Sequence, residues 1–119
     1  MEFQFKKDLP DLEKRKEQCR KLLAEEPNKV PIILEKDPTC KIAPIKKTRH
    51  LIKKDKSVNW FLSQIRKLTK IPEEQALFLS IKGKYSISGE ILMDEIYKKY
   101  KDKEDGFLYI SYSTEVIYG

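Results

Sequence analysis

The sequence predicts an α+β domain in which a mixed β-sheet wraps one amphipathic helix, with two further helices ahead of it. Three observations carry this. Apolar periodicities switch between helix-like and strand-like in the order ααββαβαβ along 119 residues. Val58, Phe61, Leu62, Ile65 and Leu68 form an apolar stripe at helical spacing in the middle of that order. In the last strand Leu108, Ile110 and Tyr112 share one face, leaving Phe107 and Tyr109 on the other. Without repeats, low-complexity tracts or an interdomain linker, this length makes one domain, large enough for a core without disulfides or metal. After two leading helices, the ββαβ…β remainder is what the β-grasp, or ubiquitin-like, architecture requires.

Each element has its own signal. Phe3 and Phe5 open a short first segment that Pro10 ends. Asp11 caps a helix in which Leu12, Cys19, Leu22 and Leu23 recur among charges, and Pro27 stops it. Val30 to Leu34 reads as a buried strand, with Pro31 tolerable only near its start or at an edge. Asp37-Pro38 turns the chain, and Ile45 to Ile52 reads as a second strand whose exposed positions are basic. Ser57 caps the striped helix. Ala76 to Ile81 is the next strand, and Ser88-Gly89 precedes a helix carrying Leu92, Met93, Ile96, Tyr97 and Tyr100. Asp105-Gly106 then turns into the last strand. The organisation expected is an N-terminal helical segment, 1–26, packed on a β-grasp core, 27–119, with an extended tail.

Composition excludes several classes. Cys19 and Cys40 make no disulfide framework, and with one histidine, His50, and no Cys-x-x-Cys, neither a metal set nor a catalytic pair is expected. No leader and no apolar run of bilayer length is visible, so the chain reads as cytosolic or nuclear with reduced thiols. Residues 1–60 carry 16 Lys/Arg against 10 Asp/Glu, and residues 61–119 carry 9 of each, so the formal +6 lies in the first half. Much of it sits in Lys46, Lys47, Arg49, Lys53, Lys54 and Lys56. Such a run is either a solvated face or a surface for an acidic peptide or anionic lipid. Nucleic acid is the weakest reading, since no RNA-binding signature or zipper-linked basic helix accompanies the run.

The chain ends on Gly119. A terminal glycine carboxylate is the least hindered of any residue, so an enzyme can adenylate it, load it onto a cysteine and pass it to an amine. The seven residues after Tyr112, extended at about 3.3 Å each, reach roughly 20–25 Å. By itself such a glycine reads first as a frayed end and only second as a conjugation site.

A family resemblance changes that order. It rests on Phe3 with Pro10, Glu13-Lys14-Arg15, and Pro27-Asn28-Lys29-Val30-Pro31-Ile32-Ile33-Leu34-Glu35-Lys36. It continues through Leu51-Ile52, Val58 with Phe61, Ile65-Arg66-Lys67, Ala76-Leu77-Phe78, Met93 with Ile96-Tyr97, and Gly106 to Ile110 with Tyr112-Ser113 and Tyr118-Gly119. In this register the chain resembles the autophagy ubiquitin-like modifiers, of the GABA-receptor-associated protein, light chain three and yeast autophagy-related protein eight type.

The resemblance implies a non-enzymatic modifier without cofactors. Ubiquitin-type activating and conjugating enzymes would join Gly119 to phosphatidylethanolamine, and a cysteine protease would process and deconjugate it. The protein would be cytoplasmic, and on the autophagosome membrane when lipidated. There it would recruit cargo receptors and adaptors through aromatic-x-x-aliphatic motifs. Gln18, Leu22, Pro31, Arg49, Leu51 and Phe107 would line an aromatic pocket. Ile52, Phe61 and Ile65 would line an aliphatic one with His50 at its rim, and Lys46, Lys47 and Arg49 would meet acidic residues of the motif. Lys29 and Arg66 would contact the protease and other partners. From pattern alone, Leu22, Leu51 and Ile65 read as core.

Some positions depart from the family. Lys53 stands where Pro is usual, Lys56 where an aliphatic residue is, and Gln64 where Leu is, so a more polar aliphatic pocket is expected. Glu26 replaces an aromatic before Pro27, and Leu68 sits where a basic residue is common. Most relatives carry residues beyond the glycine, so an end at Gly119 fits a mature form or a shortened chain alike. The alternatives from other classes are an unconjugated peptide-binding adaptor or cytoskeletal binder, and a basic-surface lipid- or nucleic-acid-binding domain.

Overall fold

In the computed structural model, which describes residues 1–85 and 87–115, the caps read from the sequence are in place. Asp11 Oδ1 accepts from the backbone N–H of Glu13 (3.0 Å) and Lys14 (3.4 Å), and Ser57 Oγ accepts from that of Trp60 (3.1 Å). Eight elements follow in the expected order: α1 Gln4–Asp8, α2 Leu12–Glu25, β1 Lys29–Lys36, β2 Arg49–Lys53, α3 Val58–Thr69, β3 Phe78–Ser80, α4 Met93–Tyr100 and β4 Leu108–Ser113. The strands order as β2-β1-β4-β3, with the central β1/β4 pair parallel and both outer pairs antiparallel. Gly119 and residues 116–118 lie outside the described residues.

The sheet's inner face supplies Val30, Ile32 and Leu34 from β1 and Leu108, Ile110 and Tyr112 from β4. These pack against Val58, Phe61 and Ile65 of α3 and Met93, Ile96 and Tyr97 of α4. The outer face holds a smaller cluster, Cys19, Ile33 and Phe107, with Phe3, Phe5, Leu22, Leu23 and Tyr109 around it. Thus α1 and α2 cover the face that the helical stripe leaves bare. Phe5 meets Phe107 edge-on at 5.1 Å and Phe3 meets Tyr109 at 5.0 Å, worth about 0.5–1.5 kcal/mol per pair beyond burial.

Polar contacts fasten these helices. Glu35, buried in β1, accepts from the backbone N–H of Gln4 (2.6 Å) and Phe5 (2.9 Å) and so anchors the start of α1. Asp105, also buried, accepts from Arg15 Nε (3.0 Å), from the Phe107 backbone N–H (2.9 Å) and from the Tyr109 hydroxyl. Burial and that carboxylate push the Tyr109 phenol far above its ordinary range. Gly106 adopts φ +86°, and a Cβ there would lie 2.9 Å from Cys19 Sγ, so the turn and the packing both require glycine. Burial raises the Cys19 thiol to about 11, with the Asp105 charge adding to it, which suits a packing residue.

Four features differ from the sequence expectation. The second strand begins at Arg49 rather than Ile45, because the Ile45 N–H is bound by the Tyr112 hydroxyl (3.1 Å) and the chain bows away from β1 until Thr48. The third strand shrinks to Phe78–Ser80, since Ile81 already bridges Lys84 across a turn with Lys82 and Gly83 at positive φ. Leu92 is an exposed N-cap rather than part of the α4 stripe. Leu68 is 52% exposed, so the last turn of α3 overhangs the core.

Candidate functional site

The basic second strand is an open edge. Leu34 N–H donates to the Thr48 carbonyl (2.7 Å) and Lys54 N–H to the Asn28 carbonyl (3.0 Å). Even-numbered positions therefore carry the β1–β2 bonds, and the backbone groups of Arg49 and Leu51 point to the free side. An extended segment of another chain can add there as a fifth strand.

Side-chain alternation gives that edge two flanks. Arg49 and Leu51 lie toward α2. Arg49 Nη1 donates to Gln18 Oε1 (2.9 Å), Leu51 pairs in register with Pro31, and Ile33, opposite Arg49, packs with Leu22 and Phe107. A cavity of about 400 Å³ opens here, with Phe5, Leu9 and Gln18 in its wall and Lys47, Thr48 and Arg49 along one side. Phe107 is fully buried and Pro31 buried, and neither lines this cavity.

His50 and Ile52 lie toward α3. Phe61 and Ile65 are 1% and 0% exposed and belong to the inner core with Ile52, so they are a floor beneath this flank. The half-buried His50 has Nε2 2.7 Å from the Lys47 carbonyl; that oxygen only accepts, so this nitrogen carries the proton. Burial lowers the His50 pKa from 6.5, and the Lys47 charge lowers it further. Lys56 is half-buried, with its ammonium 5.2 Å from the Trp60 ring centroid, and Gln64, one helical turn beyond Trp60, is also half-buried. Lys53 is exposed.

The structure brings together Gln18, Leu22, Pro31, Arg49, Leu51 and Phe107 on one flank, and His50, Ile52, Phe61 and Ile65 on the other. Lys46 and Lys47 sit on the loop entering β2 rather than on the strand. Lys29 pairs with Glu26 (3.6 Å) at the far end of the β1–β2 hairpin. Arg66 donates to the Gln75 carbonyl (2.8 Å) and the Pro72 carbonyl (3.4 Å), pinning the loop after α3. Sequence reasoning missed Phe5, Leu9 and Thr48 beside the cavity and Trp60 beneath Lys56. Only the aromatic at position 5 had drawn notice, as part of the first segment.

A β-grasp core capped by two N-terminal helices, with a basic, unpaired edge strand between two apolar flanks, defines a ubiquitin-like modifier or adaptor domain. Residues 14–119 match the family described as "Autophagy protein Atg8 ubiquitin like". Autophagy-related protein 8 of Schizosaccharomyces pombe is 39% identical over 119 residues, covering 100% of this chain and 96% of the relative. Autophagy-related protein 8e of Arabidopsis thaliana is 38% identical over 115 residues, covering 97% and 92%. The crystal structure of Trypanosoma brucei ATG8 superposes with a TM-score of 0.89 at 32% identity, covering 100% of both chains. The chain belongs to the Atg8 family of autophagy ubiquitin-like proteins. Family membership places it among modifiers and adaptors rather than enzymes, with the autophagy machinery as partner and a role at autophagosomes. Among the described residues no helix is long and apolar enough to cross a membrane.

Proposed function

We propose that this chain is a modifier joined through Gly119 to phosphatidylethanolamine, and that it recruits cargo receptors and adaptors by taking aromatic-x-x-aliphatic segments as an added strand on β2. The observation that carries the second half is the open β2 edge, where Arg49 and Leu51 offer backbone groups between two apolar flanks. Backbone bonds supply affinity there, and pockets for alternate side chains supply selectivity.

In the first half, an activating enzyme adenylates the Gly119 carboxylate with ATP, releasing pyrophosphate. A cysteine thiolate displaces AMP to form a thioester, which passes to the cysteine of a conjugating enzyme. The ethanolamine amine then attacks the carbonyl, the thiolate leaves, and the amide forms as the nitrogen gives up a proton. Two acyl chains make a stable anchor where one would hold only marginally, at about 0.8 kcal/mol per buried methylene. A cysteine protease reverses the bond by hydrolysis. The free form is cytoplasmic and the lipidated form lies on the autophagosome membrane.

On the edge, the motif's aromatic side chain enters between Gln18, Leu22 and Leu51, above Pro31 and Phe107. Its aliphatic residue meets Ile52 beside His50; reaching Phe61 or Ile65 requires α3 to move off the sheet. Lys46, Lys47 and Arg49 attract acidic residues of the motif. Lys56 and Gln64 put polar groups by the aliphatic flank, and leaving one unpaired under a ligand costs roughly 1–3 kcal/mol, so binding leans on the aromatic side. Lys29 and Arg66 serve the protease and other partners, with Arg66 exchanging its loop carbonyls for them. Residues 1–26 act as a separable helical segment on the 27–119 core.

Incubating the full chain with activating and conjugating enzymes, ATP and phosphatidylethanolamine liposomes tests the conjugation. A lipid adduct is expected on mass spectrometry and should be lost on deleting Gly119 or in Gly119→Ala, with folding unchanged. An adduct that survives deletion of Gly119 would overturn the reading.

A further inference from the structure

Residues 61–119 are neutral by count, yet folding sorts their charges. Three acids are engaged in ion pairs: Asp94 with Lys98, Asp102 with Lys6 and Asp105 with Arg15, each at 3.0 Å. Lys82, Lys84, Lys99, Lys101 and Lys103 are exposed, and among the described residues none of them forms an ion pair. Lys82, Lys84 and Lys99 come from two elements, the tight turn after β3 and the last turn of α4, whereas Lys101 and Lys103 line a separate cavity with Glu13, Glu17 and Glu104. Tyr100 marks the meeting point of the two elements: Lys84 Nζ lies 5.6 Å and Lys99 Nζ 5.4 Å from its ring centroid. Beside them a cavity of about 620 Å³ has Lys82 and Tyr100 in its wall, with Asp37 and the Lys6–Asp102 pair on its other side. A helix C-terminus attracts cations to its own dipole, which accounts for Lys98 and Lys99 in the last turn of α4. It does not account for Lys84, which comes to the same ring from another part of the chain, or for Lys82, which shares the cavity wall with Tyr100.

The geometry points to an anionic phospholipid surface as the partner of this β3–α4 face. The cationic groups are all lysines. An arginine fork recognises one carboxylate or phosphate in a fixed geometry, whereas separate ammonium groups on flexible stems suit a laterally mobile array of headgroups. The half-buried Tyr100, with lysines over its ring, is a side chain that the polar–apolar boundary of a bilayer accommodates. The face lies by β3, at the opposite edge of the sheet from β2, so a bilayer and a bound peptide do not compete. Nothing in this binding requires the bond at Gly119.

The test uses the unconjugated full chain, without activating enzymes or ATP, in flotation with phosphatidylcholine vesicles that do or do not contain phosphatidylserine. Binding is expected only with phosphatidylserine and should fall as salt shortens the Debye length from about 10 Å at 0.1 M. The triple variant Lys82→Gln, Lys84→Gln, Lys99→Gln should lose roughly a hundredfold in partition, at about 1 kcal/mol per lysine, with its thermal melt unchanged. The matching triple at the other edge, Lys46→Gln, Lys47→Gln, Arg49→Gln, should keep most vesicle binding. The proposal is overturned if phosphatidylserine makes no difference, or if only the β2-edge triple loses binding. It is equally overturned if the Lys82 triple abolishes binding to polyglutamate or duplex DNA while vesicles are not bound at all, which would assign the face to a protein or a nucleic acid.

Discussion

The two faces of the sheet are held by different physics. On the inner face, Val30, Ile32 and Leu34 meet α3 and α4 through apolar contact alone, all fully buried. On the outer face the buried apolar cluster is smaller, Cys19, Ile33 and Phe107, and the helices there depend on Glu35, on the Arg15–Asp105–Tyr109 group and on Lys6 with Asp102. Apolar burial is non-directional and tolerates adjustment; a buried carboxylate that loses its partner does not. The difference teaches that α1 and α2 are a fastened cover rather than part of the main core. β2 runs along the seam, with its odd positions on the cover and its even positions on the core.

Replacing Phe61 with Ala should have the largest effect. A buried aromatic truncated in a packed core costs about 3–5 kcal/mol, and urea unfolding should show one cooperative transition at a lower midpoint for both faces. Asp105→Asn comes next. It leaves Arg15, 11% exposed, facing no carboxylate, and breaking such a buried pair costs about 3 kcal/mol. Hydrogen exchange should quicken in α1 and α2 while the amides of α3 and β1 stay protected. Equal loss of protection on both faces would erase the distinction between cover and core.

Smaller effects test the seam. Lys47→Glu with Arg49→Glu should weaken an acidic-flanked aromatic-x-x-aliphatic peptide by about tenfold, or 1.4 kcal/mol, in calorimetry. Because both side chains are exposed, the wild-type affinity should itself fall with salt; an affinity indifferent to salt and to the double change would remove these residues from the site. The smallest effect is that of pH on His50. Its folded pKa lies below the 6.5 of the free ring, so on acidification the unfolded chain takes up the proton first. Its contribution to stability is therefore complete above 6.5 and is lost as pH falls through the lower, folded value. Comparing wild type with His50→Gln between pH 7.5 and 5 should show this loss in the wild type alone.

Much of the architecture was legible in the residues because the signals are local. Asp11 and Ser57 cap their helices with their own side chains, and the alternation of Leu108, Ile110 and Tyr112 against Phe107 and Tyr109 assigns each to a face. The element order then leaves few ways to close a mixed sheet over one stripe. Of the site, the basic residues before and within β2 and the two apolar flanks were visible as types in order. Only the fold could decide which of them reach the surface. Periodicity marks Phe61 and Ile65 as apolar but does not say whether they floor a pocket or line it, and a hydroxyl 67 residues away, that of Tyr112, holds Ile45 off the sheet so that β2 starts at Arg49. Charge shows the same division most sharply. Counting along the chain finds residues 61–119 balanced, but ion pairs form between residues as far apart as Lys6 and Asp102, and among the described residues the lysines around Tyr100 are in none of them. Sequence determined the local conformations because their causes lie within a few residues; tertiary structure decided exposure and charge pairing because those depend on which distant residues folding brings together.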